Sequence, residues 1–215
     1  MKRIKFKTIH KTKMADTITP VGLYLRFRDT YANTLLLESS DYHSKEESFS
    51  FIAIDPVISV KAENDHLSFS HKGVELENQK IGRNFNAIFD RYSQTIDLDC
   101  SEELKPFNGF YGYTTYDAVQ YFENISLNVE QAPSAIPLMQ YSFYRFIIAI
   151  NHFNDEMTLI ENIEEGAASR IKEVQSIIDA QAFNTQKFEI VGEESSNVTG
   201  EEFKEYVRKA KSHCK

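Results

Sequence analysis

The apolar positions of this 215-residue chain change period several times, and each change predicts an element. Ile4, Phe6 and Ile9 alternate with Lys5 and Lys7, the pattern of a strand whose lysines guard a sheet edge. Thr19-Pro20 is a helix start, with Pro at the first helical position and Leu23, Phe27 and Tyr31 following at fourfold spacing. Thr34 to Leu37 reads as a buried strand that runs straight into the polar Glu38-Ser39-Ser40-Asp41. Ser48 to Phe51 and Val57 to Val60 read as strands separated by Asp55-Pro56. His66–Ser70 and Val74–Glu77 form a hairpin around His71-Lys72-Gly73, with Leu67, Phe69, Val74 and Leu76 expected on one face.

Helical spacing returns from Ile81 through Phe85, Ile88, Phe89 and Tyr92 to Ile96, and the acidic stretch 97–105 reads as a loop. Tyr141 to Ile150 is an almost unbroken apolar run, joined by a turn at Asn154-Asp155 to Met157–Ile160 in a second, more central hairpin. A helix is expected over 167–182 and a short strand over 188–191. Thr199 and Glu202 are spaced as a capping box, and Phe203, Tyr206, Val207 and Ala210 continue the stripe of a last helix. That helix starts well and has no stop signal, so the sequence is expected to be cut inside a larger protein. Short turns between consecutive strands favour an antiparallel α+β fold over a βαβ array.

Composition narrows the function. The net charge of −8 argues against general nucleic-acid binding. No apolar run is long enough to span a membrane. Two distant cysteines and no apolar leader behind the basic start make a reducing cytoplasm the expectation. The six histidines and two cysteines show no metal-ligand spacing beyond the adjacent His213-Cys214. Cys100 sits among acids, which disfavour a thiolate. There is no phosphate-binding loop and no nucleophile elbow, so neither catalytic nor metal-ligating residues are assigned. Trp is absent.

Two segments stand out. In the first, Glu38 at the mouth of a strand has the chemistry to pair with an amino-acid ammonium, while Ser39 or backbone groups meet its carboxylate. Ordinary solvated polarity at a strand end fits the same residues. In the second, Phe107 to Asp117, Gly109 and Gly112 lie inside an aromatic strand, where a backbone or a ligand can approach closely, and Asp117 fits a cap for the helix that follows.

These segments resemble the N-terminal half of anthranilate synthase component I, of the chorismate-utilising enzymes. The resemblance is carried by Asp16 to Val21, by Leu36-Leu37-Glu38-Ser39, by Ser48 to Ile52, and by Gly109 to Asp117 with Phe122-Glu123 behind it. It departs where the family usually has Gly-Gly and this chain has Asn108-Gly109, and where it often has Pro-Asp and this chain has Pro137-Leu138. The resemblance implies an α/β/β/α fold of orthogonally packed, mostly antiparallel sheets flanked by helices. It implies a regulatory domain over residues 1–195, with 196–215 starting a helix that leads into an absent chorismate-binding catalytic domain.

The full enzyme would make anthranilate and pyruvate from chorismate and ammonia, with Mg2+ bound by the C-terminal half and a glutamine amidotransferase subunit as partner. Glu38 and Ser39 would bind the feedback inhibitor L-tryptophan, and the chain alone would be inactive. The rival expectations are the corresponding part of aminodeoxychorismate synthase component I and a stand-alone amino-acid-binding module.

Overall fold

The computed structural model describes residues 3–39, 48–82, 84–125, 136–180, 189, 191–193 and 195–214. They fall in two compact units, 1–184 and 185–215. The strand expected over 188–191 lies largely outside the described residues.

Among the described residues, the first unit is built on one nine-stranded sheet. Its strands are β1 (Ile4–Met14), β2 (Leu35–Glu38), β3 (Phe49–Glu63), β4 (His66–His71), β5 (Val74–Lys80), β6 (Ile96–Asp99), β7 (Phe110–Thr114), β8 (Met139–Asn151) and β9 (Glu156–Glu164). The order is β5-β4-β3-β8-β9-β1-β6, with β2 added beside β3 and β7 beside β8. Every pair is antiparallel except β1–β6. Helices α1 (Pro20–Arg28), α2 (Phe85–Ser93) and α3 (Ile171–Asp179) complete a mixed α+β fold.

Each helix buries a stripe. Leu23 and Phe27 of α1 and Ile171, Val174 and Ile178 of α3 pack on Ile52, Ile54, Phe146, Ile148 and Leu159. Phe85, Ile88 and Tyr92 of α2 pack on Val60, Leu67, Phe69 and Phe143. Phe6 of β1 joins that second cluster, its ring 5.0 Å from Phe143. A third cluster, Ala53, Leu104, Tyr144, Ile147 and Ile160, fills the side of the central strands away from α1 and α3. Thr19 caps α1 by accepting from the Gly22 N–H at 3.1 Å.

Several expectations change. β1 is not simply an edge: β9 pairs along Phe6–Met14, and β6 covers Ile4–Lys7 from the other side. Lys11 and Lys13 lie beyond that cover and donate to Gln175 and Asp179 on α3. Asp55-Pro56 does not end a strand. Asp55 adopts φ +62°, the ladder shifts between Pro56 and Ile58, and β3 continues through a bulge that accommodates the missing proline N–H. In the β4–β5 hairpin a bulge between Phe69 and Ser70 shifts the register. Glu77 and Gln79 therefore pair with Phe69 and Leu67, Leu76 falls at the bulge and is exposed, and Val74, opposite His71 beside the turn, is exposed as well. The helical stripe stops at Ser93, and Ile96 opens the short β6 where a loop was expected.

In the second unit, α4 (Gly200–His213) carries the expected capping box. The Glu202 N–H donates to Thr199 Oγ1, and the Thr199 N–H donates to Glu202 Oε2 at 2.7 Å.

Candidate amino-acid site

The apolar run before Glu38 makes β2 a strand, which pairs with β3 among the described residues. Leu35, Leu36, Leu37 and Glu38 stand opposite Ala53, Ile52, Phe51 and Ser50 of β3. The Ser39 N–H extends the ladder by donating to the Phe49 carbonyl at 3.2 Å. The run is only half-buried, not fully buried as its composition suggests. Leu35 and Leu36 are partly covered, whereas Leu37, Glu38 and Ser39 are exposed, and among the described residues β3 is the strand that pairs with β2.

Strand alternation separates the two residues expected to act together. Leu36 packs in the cluster beneath α1 and α3, so Glu38, two residues on, shares that face with Ser50. Leu35 packs in the opposite cluster, so Ser39 shares the other face with Phe49 and Phe51. Each face has its own chemistry. On the Ser39 side, Phe49 lies 5.9 Å from Phe51 and 5.3 Å from Phe107, and Phe51 lies 5.6 Å from Tyr111. These partly covered rings form an aromatic shelf, and burial pushes the Tyr111 phenol pKa up. Tyr111 Oη donates to the Phe107 carbonyl at 2.7 Å.

On the Glu38 side, the Ser50 hydroxyl is fully buried and lies 2.7 Å from His152 Nε2. His152, at the β8–β9 turn, is exposed, and its backbone N–H donates to the Ser48 carbonyl at 2.9 Å. Sequence reasoning did not connect Ser50 with His152. Their separation of 102 residues hides the contact, and no local spacing announces it.

Gly109 to Asp117 resolves differently. A Cβ on Gly112 would stand 1.9 Å from the Gln140 carbonyl oxygen and 2.7 Å from Tyr141 Cα. The glycine admits the backbone of β8 rather than a ligand. Asp117 is not the cap: Thr115 holds that position of a 3-10 turn over Tyr116–Tyr121, with no side-chain cap bond.

A cleft of about 400 Å3 opens where the β3 bulge faces the ends of β1 and β9. Asp55, Lys72, Arg145 and Glu164 line it. Its charges are paired. Glu164 Oε2 accepts from Lys72 Nζ at 2.7 Å and faces His71 Nε2 at 3.1 Å. Burial raises the Glu164 pKa, but these partners outweigh it and hold the carboxyl below the usual range. Arg145 donates through Nε and Nη2 to the fully buried Glu161 at 3.0 and 2.7 Å. Among the described residues, no three His, Cys, Asp or Glu side chains gather as a metal site. No helix among them is long and apolar enough to cross a membrane.

The sequence profile described as chorismate binding enzyme matches residues 34–215. The chain belongs to the chorismate-binding enzyme family. Within it, anthranilate synthase component 1 of Lactococcus lactis is 26% identical over an alignment of 209 residues that covers 92% of this chain and 43% of that protein. Anthranilate synthase component 1 of Acinetobacter calcoaceticus is 24% identical, over 93% of this chain and 44% of its own length. The crystal structure of anthranilate synthase component I from Streptococcus pneumoniae superposes with a TM-score of 0.50 at 19% identity. That superposition covers 93% of this chain and 44% of the other and supports the same fold. The chain therefore spans less than half the length of these relatives.

Proposed function

We propose that this chain is the N-terminal, regulatory part of an anthranilate synthase component I. The observation that carries the reading is the pair of component 1 relatives, each aligned over nine-tenths of this chain and under half of itself. On this reading residues 1–195 are the regulatory domain, a half of the orthogonally packed α/β/β/α fold. Residues 196–215 begin the helix that leads to the catalytic half. The whole enzyme converts chorismate and ammonia to anthranilate and pyruvate in the cytoplasm, with a glutamine amidotransferase subunit supplying the ammonia. The magnesium ion belongs to the catalytic half. No cluster among the described residues fits it, and no step of the reaction runs through this chain.

The role assigned to this chain is recognition of L-tryptophan at the end of β2. The exposed Glu38 carboxylate is an acceptor for the ligand ammonium. Ser39 stands one residue on, at the rim of the aromatic shelf, where an indole finds apolar ring faces. A ligand wrapped around the β2 edge uses both faces. Inhibition then requires that tryptophan bind one arrangement of the two halves better than the other.

Two assays test this. Chorismate, ammonium and magnesium incubated with the 215-residue chain should yield no anthranilate, and measurable product would overturn the assignment of catalysis elsewhere. In the full-length enzyme Ser39→Leu should abolish tryptophan inhibition while leaving uninhibited turnover intact. Unchanged inhibition would remove Ser39 from the site. Aminobenzoate product identity in the same enzyme separates anthranilate synthase from aminodeoxychorismate synthase.

A further inference from the structure

Resting on the reading that an amino acid binds at the end of β2, we propose that His152 supplies the donor for its carboxylate, with Ser50 as the positioning residue. Glu38 provides one charge, and an α-amino acid has two. Ser39 lies across the strand from Glu38, on the aromatic side. Among the polar groups that share Glu38's side are Ser50, its cross-strand partner, and His152, bonded to Ser50 at 2.7 Å. Glu38 on β2, Ser50 on β3 and His152 at the end of β8 thus form a row, with the buried hydroxyl in the middle and the two exposed groups on either side of it.

In this assignment the buried hydroxyl is the donor to the imidazole. A fully buried Ser O–H has to donate its proton, and His152 Nε2 is its partner among the described residues. When Nε2 of a neutral imidazole accepts, Nδ1 carries the hydrogen. Nδ1–H is then a donor on the same side of the sheet as the Glu38 carboxylate, which is an acceptor. An α-amino acid presents the complementary pair on neighbouring atoms. The backbone holds the ring in place: the His152 N–H is tied to Ser48, and the turn that follows is pinned by the Phe153 N–H donating to Asn151 Oδ1 at 2.8 Å.

The experiment uses the indole fluorescence of three probes, because the chain has no Trp of its own. They are L-tryptophan, tryptamine, which lacks the carboxylate, and 3-indolepropionate, which lacks the ammonium. His152→Ala should weaken L-tryptophan roughly tenfold, the size of one lost hydrogen bond to a charged group, and leave tryptamine unchanged. Glu38→Gln should weaken L-tryptophan and tryptamine and spare 3-indolepropionate. His152→Gln, which keeps an N–H donor, should recover part of the loss.

If His152→Ala binds L-tryptophan as the wild type does, or weakens L-tryptophan and tryptamine equally, the assignment of His152 is wrong while the β2 site stands. If the wild-type chain binds none of the three probes, the β2 site itself falls and this assignment with it.

Discussion

Glu161→Ala should be among the most damaging single changes in the first unit. The Glu161 carboxylate is fully buried and collects four hydrogen bonds. Two come from Arg145, one from Ser169 Oγ at 2.6 Å, and one from the Arg170 backbone N–H at 2.8 Å, at the entrance to α3. Removing it strands the Arg145 guanidinium, whose side chain is only 15% exposed, and orphans the two donors that hold α3 to β9. Breaking one partner of a buried ion pair costs about 3–5 kcal/mol. The Arg145 bond to the Ala168 carbonyl survives, so the lower end applies. At roughly 2–4 °C per kcal/mol for a unit of this size, Tm should fall by about 6–12 °C.

Replacing both partners, in Arg145→Met with Glu161→Leu, leaves no unpaired charge and should cost less than Glu161→Ala alone. Thermal unfolding followed by circular dichroism, with the second unit present throughout, measures both. A shift under about 2 °C for Glu161→Ala, or a double variant at least as damaged as that single one, would refute the keystone role.

Gly112→Ala should cost about 1–3 kcal/mol or more by urea unfolding, because its Cβ meets the Gln140 carbonyl at 1.9 Å and β7 must leave β8. Thr199→Ala should cost α4 about 1 kcal/mol, read as faster amide exchange in its first turn, since the capping box is lost. Arg170 and then Tyr31 hold the Glu173 carboxyl at about 2, below its usual 4.5. Its contribution is therefore complete above 4.5 and lost as pH falls through about 2, so wild type and Glu173→Gln should converge in Tm across that window. Burial first, then Glu173, pushes the Tyr31 phenol up to about 12 from 10.0. Stability from keeping it protonated is full below 10 and lost as pH rises through about 12, and ultraviolet absorbance at alkaline pH reports its ionisation.

Period and caps made the helices legible. Thr19-Pro20 and Thr199 with Glu202 start α1 and α4 where the structure starts them. The β8–β9 hairpin was legible because its strands are apolar on both faces and joined by a short turn. What the sequence concealed depends on tertiary pairing. Asp55-Pro56 has the form of a strand break, yet a bulge lets β3 run through it. Ile96 continues a helical stripe, but pairing with Ile4 makes it a strand residue. At the candidate site, Leu36 to Ser39 reads as one ligand-binding segment, and its pairing with β3 puts Glu38 and Ser39 on opposite faces of the strand. The Ser50–His152 contact was beyond reach, because neighbours across a sheet leave no trace in local spacing.

The most direct test of the account is to map L-tryptophan onto the amide spectrum of the isotopically labelled chain. The account predicts saturable shifts centred on Glu38, Ser39, Ser50 and His152, with the cleft residues Asp55 and Lys72 unmoved. Shifts centred on that cleft, or no shift at millimolar tryptophan, would contradict it.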